Sequence, residues 1–366
     1  MEVAIPKLAN LKFIDRFKLE YDFHFCNIDE IDKVVDFIDK HWKKGHILVQ
    51  SRELLNWQHF NSERNEYNFV VAVDKDSGEI HGILGFISTR NFDKQINNIQ
   101  VWPAIWKVCD DIGTTGLGLA LYNYLQCNLC IETITNLGIN PSTENIYKNL
   151  GFETGVLKQW YILNNEISNF CLITNDLDQD HKPNHSSSYG YALELCAQND
   201  FLDFSASVAL EFPHYKSPRY YIKRFFEHPL YQYSAYSVVV RGFAKAVIFT
   251  RICQANGNKA VRIVDYLGEH AAISGCYDCF QQLLRRESAE YVDFINIGFS
   301  EKYLIDAGFR DRNDSKIIIP DYYEPFCQKN VDIHYVFKTI NNEVSCLIFK
   351  GDSDQDRPSS LRRQTL

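Results

Sequence analysis

A chain of 366 residues exceeds what one hydrophobic core usually organises, so two domains are expected. With 45% apolar and 23% charged residues it reads as a water-soluble globular protein; its longest apolar runs, YSAYSVVV and FAKAVIF, are too short for a bilayer, and MEVAIPKLANLKF lacks the apolar stretch of a secretory signal, so no membrane insertion and a cytoplasmic location are expected. The formal net charge of −9 speaks against a nucleic-acid partner, whose phosphates are bound by Lys and Arg, and leaves room for a compact basic pocket.

The chain opens with a strand at 20–24 (EYDFH). A helix follows, capped by Asn27, with Ile28, Ile31, Val34, Val35 and Ile38 at helical spacing. YNFVVAVDKDSGEIHGILGFIS (67–88) reads as two strands joined by a turn at Asp74–Gly78. The strand VWPAIWKVCDD runs into DDIGTTGLGLALYNYL (110–125), where three glycines fall within six positions just ahead of a helix. A pyrophosphate needs converging backbone N–H groups, which a side chain would obstruct, and the helix N-terminus adds partial positive charge. After it come the strand ETITNLGIN, a short helix STENIYKNL, and a strand ending in QWYIL.

GTTGLGLALYNYL, followed about twenty residues later by LGINPSTENIYKNLGFE, resembles the paired signatures of the Gcn5-related N-acetyltransferases, over roughly residues 20–165. The resemblance implies an α/β (α+β) fold, a mixed, mostly antiparallel twisted sheet flanked by helices, and acetyl-CoA or another acyl-CoA as co-substrate. It implies donor contacts from Val108, Gly113, Thr114, Thr115, Gly116, Leu117 and Gly118, with Asn140 and Asn145, and makes Tyr147 the acid that protonates the departing thiolate. The family usually begins this loop with Arg or Gln. Here the position is Gly113, which implies a weaker grip on the donor or a basic residue supplied from elsewhere. For the base, the candidates are His46 and His59, with imidazoles that titrate near neutrality, and Asp110 and Asp111 at the strand end. Trp57 and His59 lie in the variable stretch that shapes an acceptor pocket in this family.

The second half echoes the first. NLGIN (Asn136–Asn140) is answered by NIGFS (Asn296–Ser300), and IYKNLGFE by KYLIDAGFR, at an offset of about 160 residues, as in a tandem duplication. The strands YSAYSVVV, FAKAVIFTRICQ and KAVRIVDYLG lead to EHAAISGCYDCFQQLLRR, which has no glycine loop, so the second copy is expected to keep the fold without a coenzyme site. The expected division is an N-terminal domain at 1–174, a polar linker at 175–190 and a degenerate domain at 191–366. FPHYKSPRYYIKRFFEHPLYQY (212–233) offers Arg219, Tyr221, Arg224 and His228 to a nucleotide, or else a helix with its aromatics in the core. The acidic FKGDSDQDRPSS (349–360) reads as a cover over the domain junction or a solvated tail.

Eleven cysteines, placed like small hydrophobes in KVCDDI, NFCLIT and VSCLIF, suit a reducing compartment. Two C-x-x-C pairs, Cys127/Cys130 and Cys276/Cys279, are about 150 residues apart in expected helices and read as core thiols, so no metal is expected. AIWKV, HWKKGHIL with NWQHF, and GDSDQDRP are similar to tandem acetyltransferases of bacterial surface polysaccharides (O-antigen, capsule), implying the amine of a nucleotide-linked amino deoxysugar as acceptor. Two other readings stand beside it. One is a tandem aminoacyl transferase of the peptidoglycan-bridge type, disfavoured by the acidic charge and the retained glycine loop; the other is a non-catalytic module that binds coenzyme A.

Overall fold

Strand β1 (Tyr21–Asn27) ends in the expected cap: Asn27 and Glu30 form a reciprocal capping box around the 3-10 turn Ile28–Glu30. Helix α1 (Ile31–Phe37) continues from it into a π-helical turn, Ile38–Trp42, followed by α2 (Ile47–Gln50), α3 (Arg52–His59) and β2 (Phe60–Asn61). These elements belong to a computed structural model that describes residues 15–112, 115–174, 185–207, 216–314, 316–359 and 361. Gly113 and Thr114 of the glycine loop, and 175–184 of the expected linker, lie outside the described residues.

Strands β3 (Glu66–Asp74) and β4 (Ile80–Ser88) form the expected hairpin, its turn closed by the Ser77 N–H donating to the Asp74 carboxylate at 2.8 Å. After α4 (Thr89–Phe92) come β5 (Gln100–Val108), α5 (Leu117–Asn128), β6 (Thr133–Leu137), α6 (Glu144–Asn149), β7 (Glu153–Val156) and β8 (Lys158–Leu163). The later chain supplies β9 (Tyr191–Leu195), α7 (Gln198–Ser207), α8 (Pro218–Tyr221), β10 (Ser234–Val240), β11 (Phe243–Ala255) and β12 (Asn258–Gly268). It ends with α9 (Tyr277–Glu287), β13 (Ala289–Ile297), α10 (Glu301–Asp306), β14 (Arg310–Asp311), β15 (His334–Thr339) and β16 (Ile348–Phe349).

The strands form two mixed, mostly antiparallel sheets of eight, as expected for an α/β fold of two tandem halves. One has the order β1-β3-β4-β5-β6-β15-β7 with β2 beside β3; the other runs β14-β8-β13-β12-β11-β10-β9 with β16 beside β13. By compactness the chain divides differently from its sequence halves. One unit holds the described residues up to Asn136 with Lys338–Asn341 and those from Ser359 onward; the other holds Leu137–Phe337 and Asn342–Pro358. In the first unit, β3 is buried on both faces, which is why it reads as a continuous apolar run. Tyr124 of α5 packs on Phe23 and Phe25 on one side, and His59 of α3 on Phe69 on the other.

Each sheet contains a bulged hairpin followed by a helical crossover and one parallel pair. Gly85 lies opposite Ile105 and Phe86 opposite Pro103, so Ala104 is the extra residue of β5. A bulge bends and twists its strand. The parallel ladder from β5 to β6 accordingly consists of two pairs, Gln100 with Thr133 and Val101 with Ile134. In the second sheet, Phe249 lies opposite Asp265 and Thr250 opposite Ile263, making Val264 the extra residue of β12, whose ladder to β13 ends at Ile263 and Phe294. Beyond that point the chain's own C-terminal segment enters. β16 pairs with Asn296 and Ile297, Lys350 N donates to Ile295 O at 3.0 Å, and Gly351 N donates to Val264 O at 2.7 Å. A Cβ on Gly351 would stand 2.6 Å from that carbonyl, so only glycine permits the approach.

That segment is tied down by buried charge. Lys216 bridges Asp265 and Asp352 at 2.8 Å each, and Lys350 meets Asp321 at 2.9 Å, a carboxylate that also pairs with Arg262 at 3.1 Å. Arg251 grips Asp356 through Nε at 3.0 Å and a terminal nitrogen at 2.6 Å, while Tyr233 donates to the same carboxylate at 2.9 Å. The stretch expected as a cover or solvated tail is thus built into the second unit, with Asp352 and Asp356 1–2% exposed. Burial alone would raise the Asp356 carboxyl, but Arg251, with Arg262 and Arg224 behind it, outweighs this and holds it well below the usual carboxylate range. A depressed carboxyl contributes stability above its unfolded value, about 3.9, that is lost as pH falls towards its folded one. Asp356→Asn is therefore expected to cost about 3–5 kcal/mol at pH 7, by leaving buried guanidinium unpaired, and less at pH 3.5. Urea denaturation at the two pH values measures both.

Candidate functional site

The glycine loop leads into α5 as expected. Gly116 is its N-cap, in the left-handed region at φ 98°, and offers no side chain to cap the first-turn N–H groups. An uncapped helix start has donors available for an anion. Leu117 is buried beneath the turn and Thr115 is exposed. On β5, the Trp106 indole N–H donates to Gly118 O at 3.0 Å and its ring stacks on Tyr122, fastening the first turn of α5 to the strand. A Cβ on Gly118 would meet that indole nitrogen at 3.2 Å and the Val108 side chain at 3.8 Å. Val108 is therefore a packing partner of the helix start. Asp110 and Asp111 are exposed on the 3-10 turn Asp110–Ile112, where Lys107 pairs with Asp110 at 2.5 Å.

The variable stretch behaves differently from its sequence reading. His46 is buried and caps α2, its Nδ1 accepting from Leu48 N at 3.3 Å. His59 is fully buried, with Nδ1 3.0 Å from Phe86 O and Nε2 3.2 Å from the Gln58 amide, so both ring nitrogens have partners within the core. Trp57 meets Phe92 edge-on at 5.1 Å. What this stretch gives to an opening is Asn61, Glu63 and Arg64, which with Asn68, Ser88 and Arg90 line a cavity of about 310 Å³ in the first unit. Its arginines are paired, Arg64 with Glu66 at 2.7 Å and Arg90 with Glu63 at 3.0 Å.

Asn140, Asn145 and Tyr147 belong to the second compact unit. Asn140 caps a 3-10 turn by accepting from Ser142 N at 3.0 Å, and Asn145 is exposed on α6. Tyr147 is buried against Phe152, their rings edge-to-face at 5.3 Å. Of the aromatic and basic cluster, Tyr221 stacks on Phe249 in the core and Arg224 is buried, donating to Gly351 O at 2.8 Å. His228 Nδ1 accepts from Leu230 N and Tyr231 N at 3.1 and 2.9 Å, and burial, reinforced by Arg224, pushes its imidazole down to about 3, so it is neutral near pH 7. Arg219 is exposed.

Sequence reasoning missed the bulges at Ala104 and Val264 and the C-terminal insertion. Pro103 inside a strand was the available signal for the first bulge, since proline in a sheet marks an edge or a bulge. Among the described residues no three His, Cys, Asp or Glu side chains gather as metal ligands would, and no helix is long and apolar enough to cross a membrane.

No protein-family model matches this chain, and no curated protein matches it in sequence. Solved structures match its fold. A GCN5-related N-acetyltransferase from Anabaena variabilis ATCC 29413 aligns with a TM-score of 0.53 at 12% identity, covering 88% of this chain and 73% of that one. One from Kribbella flavida gives 0.51 at 11% identity over 88% and 72%, and a conserved protein of unknown function from Enterococcus faecalis V583 gives 0.52 at 10% identity over 87% and 73%. At such identities the likeness is one of fold: this chain has the fold of the GCN5-related N-acetyltransferases, carried on two sheets. Gly116→Ala, which forces a Cβ into the left-handed region, is expected to cost about 1–2 kcal/mol by urea denaturation.

Proposed function

We propose that the chain is an acyl-CoA-dependent N-acyltransferase with one donor site, formed by the glycine loop, the start of α5 and the bulged strand β5. The observation that carries this is the contrast between β5 and β12, the bulged strands that enter the parallel pairs. In the second sheet, the amide of Gly351 meets the carbonyl of the bulged residue Val264, so the chain's own peptide satisfies the parted strand. The pantetheine arm of coenzyme A carries two amides and suits the equivalent place beside Ala104 in the first sheet, with its pyrophosphate at the uncapped start of α5. Isothermal calorimetry with coenzyme A is expected to give one site per chain; two equivalent sites would contradict the reading.

The chemistry asked of the site is modest. A neutral amine attacks the thioester carbonyl, the new C–N bond forms as the C–S bond breaks, the amine's proton passes to water, and the departing thiolate takes a proton from an acid. By the resemblance of NIYKNLGF to the family's second signature, that last step falls to Tyr147. Tyr147→Phe keeps the ring against Phe152, so the helix should survive while turnover falls about a hundredfold, the lower end of general acid catalysis, because a coenzyme thiolate leaves fairly well unprotonated. Near-normal thiol release by a folded variant would assign the proton to water.

The acceptor in this reading is the amine of a nucleotide-linked amino sugar. Its support is the likeness of AIWKV, HWKKGHIL and GDSDQDRP to tandem acetyltransferases of surface polysaccharides, together with a polar cavity lined by Asn61, Asn68, Ser88 and Glu63 beside the paired Arg64 and Arg90. The test is thiol release from acetyl-CoA across a panel of nucleotide amino sugars. Turnover supports the reading; donor binding with no turnover on any amine would favour a coenzyme A-binding module.

A further inference from the structure

The cavity of the first unit lies where acyl transfer needs an acceptor, and its lining restricts what that acceptor is. Phe86 and Ser88, two residues apart on β4, both line it. Phe86 stands opposite Pro103, next to the bulged residue Ala104, and Ser88 stands opposite Val101. The cavity therefore runs outward along β4 from the bulge. Its two arginines are anchored away from that point. Arg64 is held on β3, two strands across from β5 and so about 10 Å away; Arg90 follows the end of β4, beyond Ser88, which is about 7 Å along the strand from Phe86. Both guanidinium groups are fixed by protein partners that use only part of their N–H groups. Arg64 meets Glu66 through Nε at 2.7 Å, lies over the Phe25 ring at 4.4 Å, and has a terminal nitrogen 3.5 Å from the carboxamide oxygen of wholly buried Asn68. Arg90 meets Glu63 through one terminal nitrogen at 3.0 Å. A guanidinium has five N–H donors, so Nη1 of Arg64 and both Nε and Nη1 of Arg90 are left to donate to a ligand. The Ser88 oxygen accepts from Arg90 N at 3.3 Å, which leaves its O–H to donate as well.

We infer that this cavity binds an amine whose own molecule carries an oxyanion, a carboxylate or a phosphate, on the order of 7 Å from the nitrogen. The oxyanion sits between Arg64 and Arg90 with the Ser88 hydroxyl, and the amine reaches past Phe86 towards Ala104. That the amine is then acylated rests on the acyl-transfer reading; recognition of the oxyanion does not. Glu63 and Glu66 leave room for it, because partly exposed ion pairs are weak and each carboxylate engages one edge of its guanidinium, so the other edge forms charge-assisted bonds to a ligand. The turn that bears Glu63 and Arg64 is itself fixed, with the Asn61 carboxamide oxygen accepting from Glu63 N and Arg64 N at 3.0 and 3.3 Å, so little order has to be gained on binding. A nucleotide-linked amino sugar meets the description through its phosphate; an α-amino acid, with its charges adjacent, does not.

The test is isothermal calorimetry on the full chain without acyl donor, which reads the cavity apart from the chemistry. The probes are matched pairs: 5-aminopentanoate against 5-amino-1-pentanol, and 3-aminopropyl phosphate against 3-amino-1-propanol. In at least one pair the anionic member is expected to bind about tenfold or more tightly than its neutral partner, and which pair shows it tells carboxylate from phosphate. Arg64→Gln and Arg90→Gln are each expected to remove most of that preference. Equal binding within both pairs, no measurable binding of any probe, or a preference that survives both substitutions overturns the proposal, and the wild-type comparison decides even where a variant fails to fold. Thiol release from acetyl-CoA with the preferred amine is the separate check on acyl transfer: its absence, with the binding preference intact, contradicts the acyl-transfer reading and leaves the recognition of an anionic amine standing.

Discussion

A parallel strand pair that stops pairing after a few residues leaves peptide groups along its inner edges, and buried peptide groups must find partners. Both sheets of this chain are organised around that constraint. In each, a bulge turns the last strand of an antiparallel run away from its parallel neighbour, at Ala104 in one and Val264 in the other. The second sheet answers internally, with Ile348–Gly351 between β12 and β13. The first sheet has the uncapped helix start and the fastening of Trp106 to Gly118 at the corresponding end of its strand. The difference between the halves is thus a difference in what meets the parted backbone.

An inserted segment of a few residues gains little from its own backbone hydrogen bonds, which net only about 0.5–1.5 kcal/mol each. Lys350, Asp352 and Asp356 supply the rest of its specification. Each finds an opposite charge in the second unit, at 2.9, 2.8 and 2.6 Å. Buried pairs of this kind add little over apolar replacements, yet a segment slipped by one residue would strand its charges unpaired, at a cost of several kcal/mol. Their effect is to fix register.

The fold was legible because its signals are local. The Asn27 cap, the Asp74–Gly78 turn, the glycines before α5 and the echo of NLGIN in NIGFS each act over a few residues, and the structure contains the strands, helices and second sheet they imply. The surroundings of the candidate site were less legible. His59 and Arg224 carry functional-looking chemistry, but their partners, Phe86 O and Gly351 O, are set by tertiary packing that no spacing reports. The acidic C-terminus misled for the same reason: GDSDQDRP has the composition of a solvated tail, and only Arg251 of β11 and Lys216, just before α8, pairing with Asp356 and Asp352, make it interior.

The order of elements along the chain has a consequence for biosynthesis. The first unit closes on Lys338–Asn341, where the Thr133 hydroxyl donates to Thr339 at 3.0 Å and Ile340 N to Glu132 O at 3.0 Å, while, apart from the residues from Ser359 onward, the rest of it is complete by Asn136, within β6. About 200 residues separate the two, so at about 5–20 residues per second a ribosome takes roughly 10–40 s to deliver the missing strand. During that interval β6 is an open edge, the feature that invites pairing with another nascent chain. The pace of elongation, and any chaperone that shields β6 meanwhile, therefore bear on the yield of folded protein.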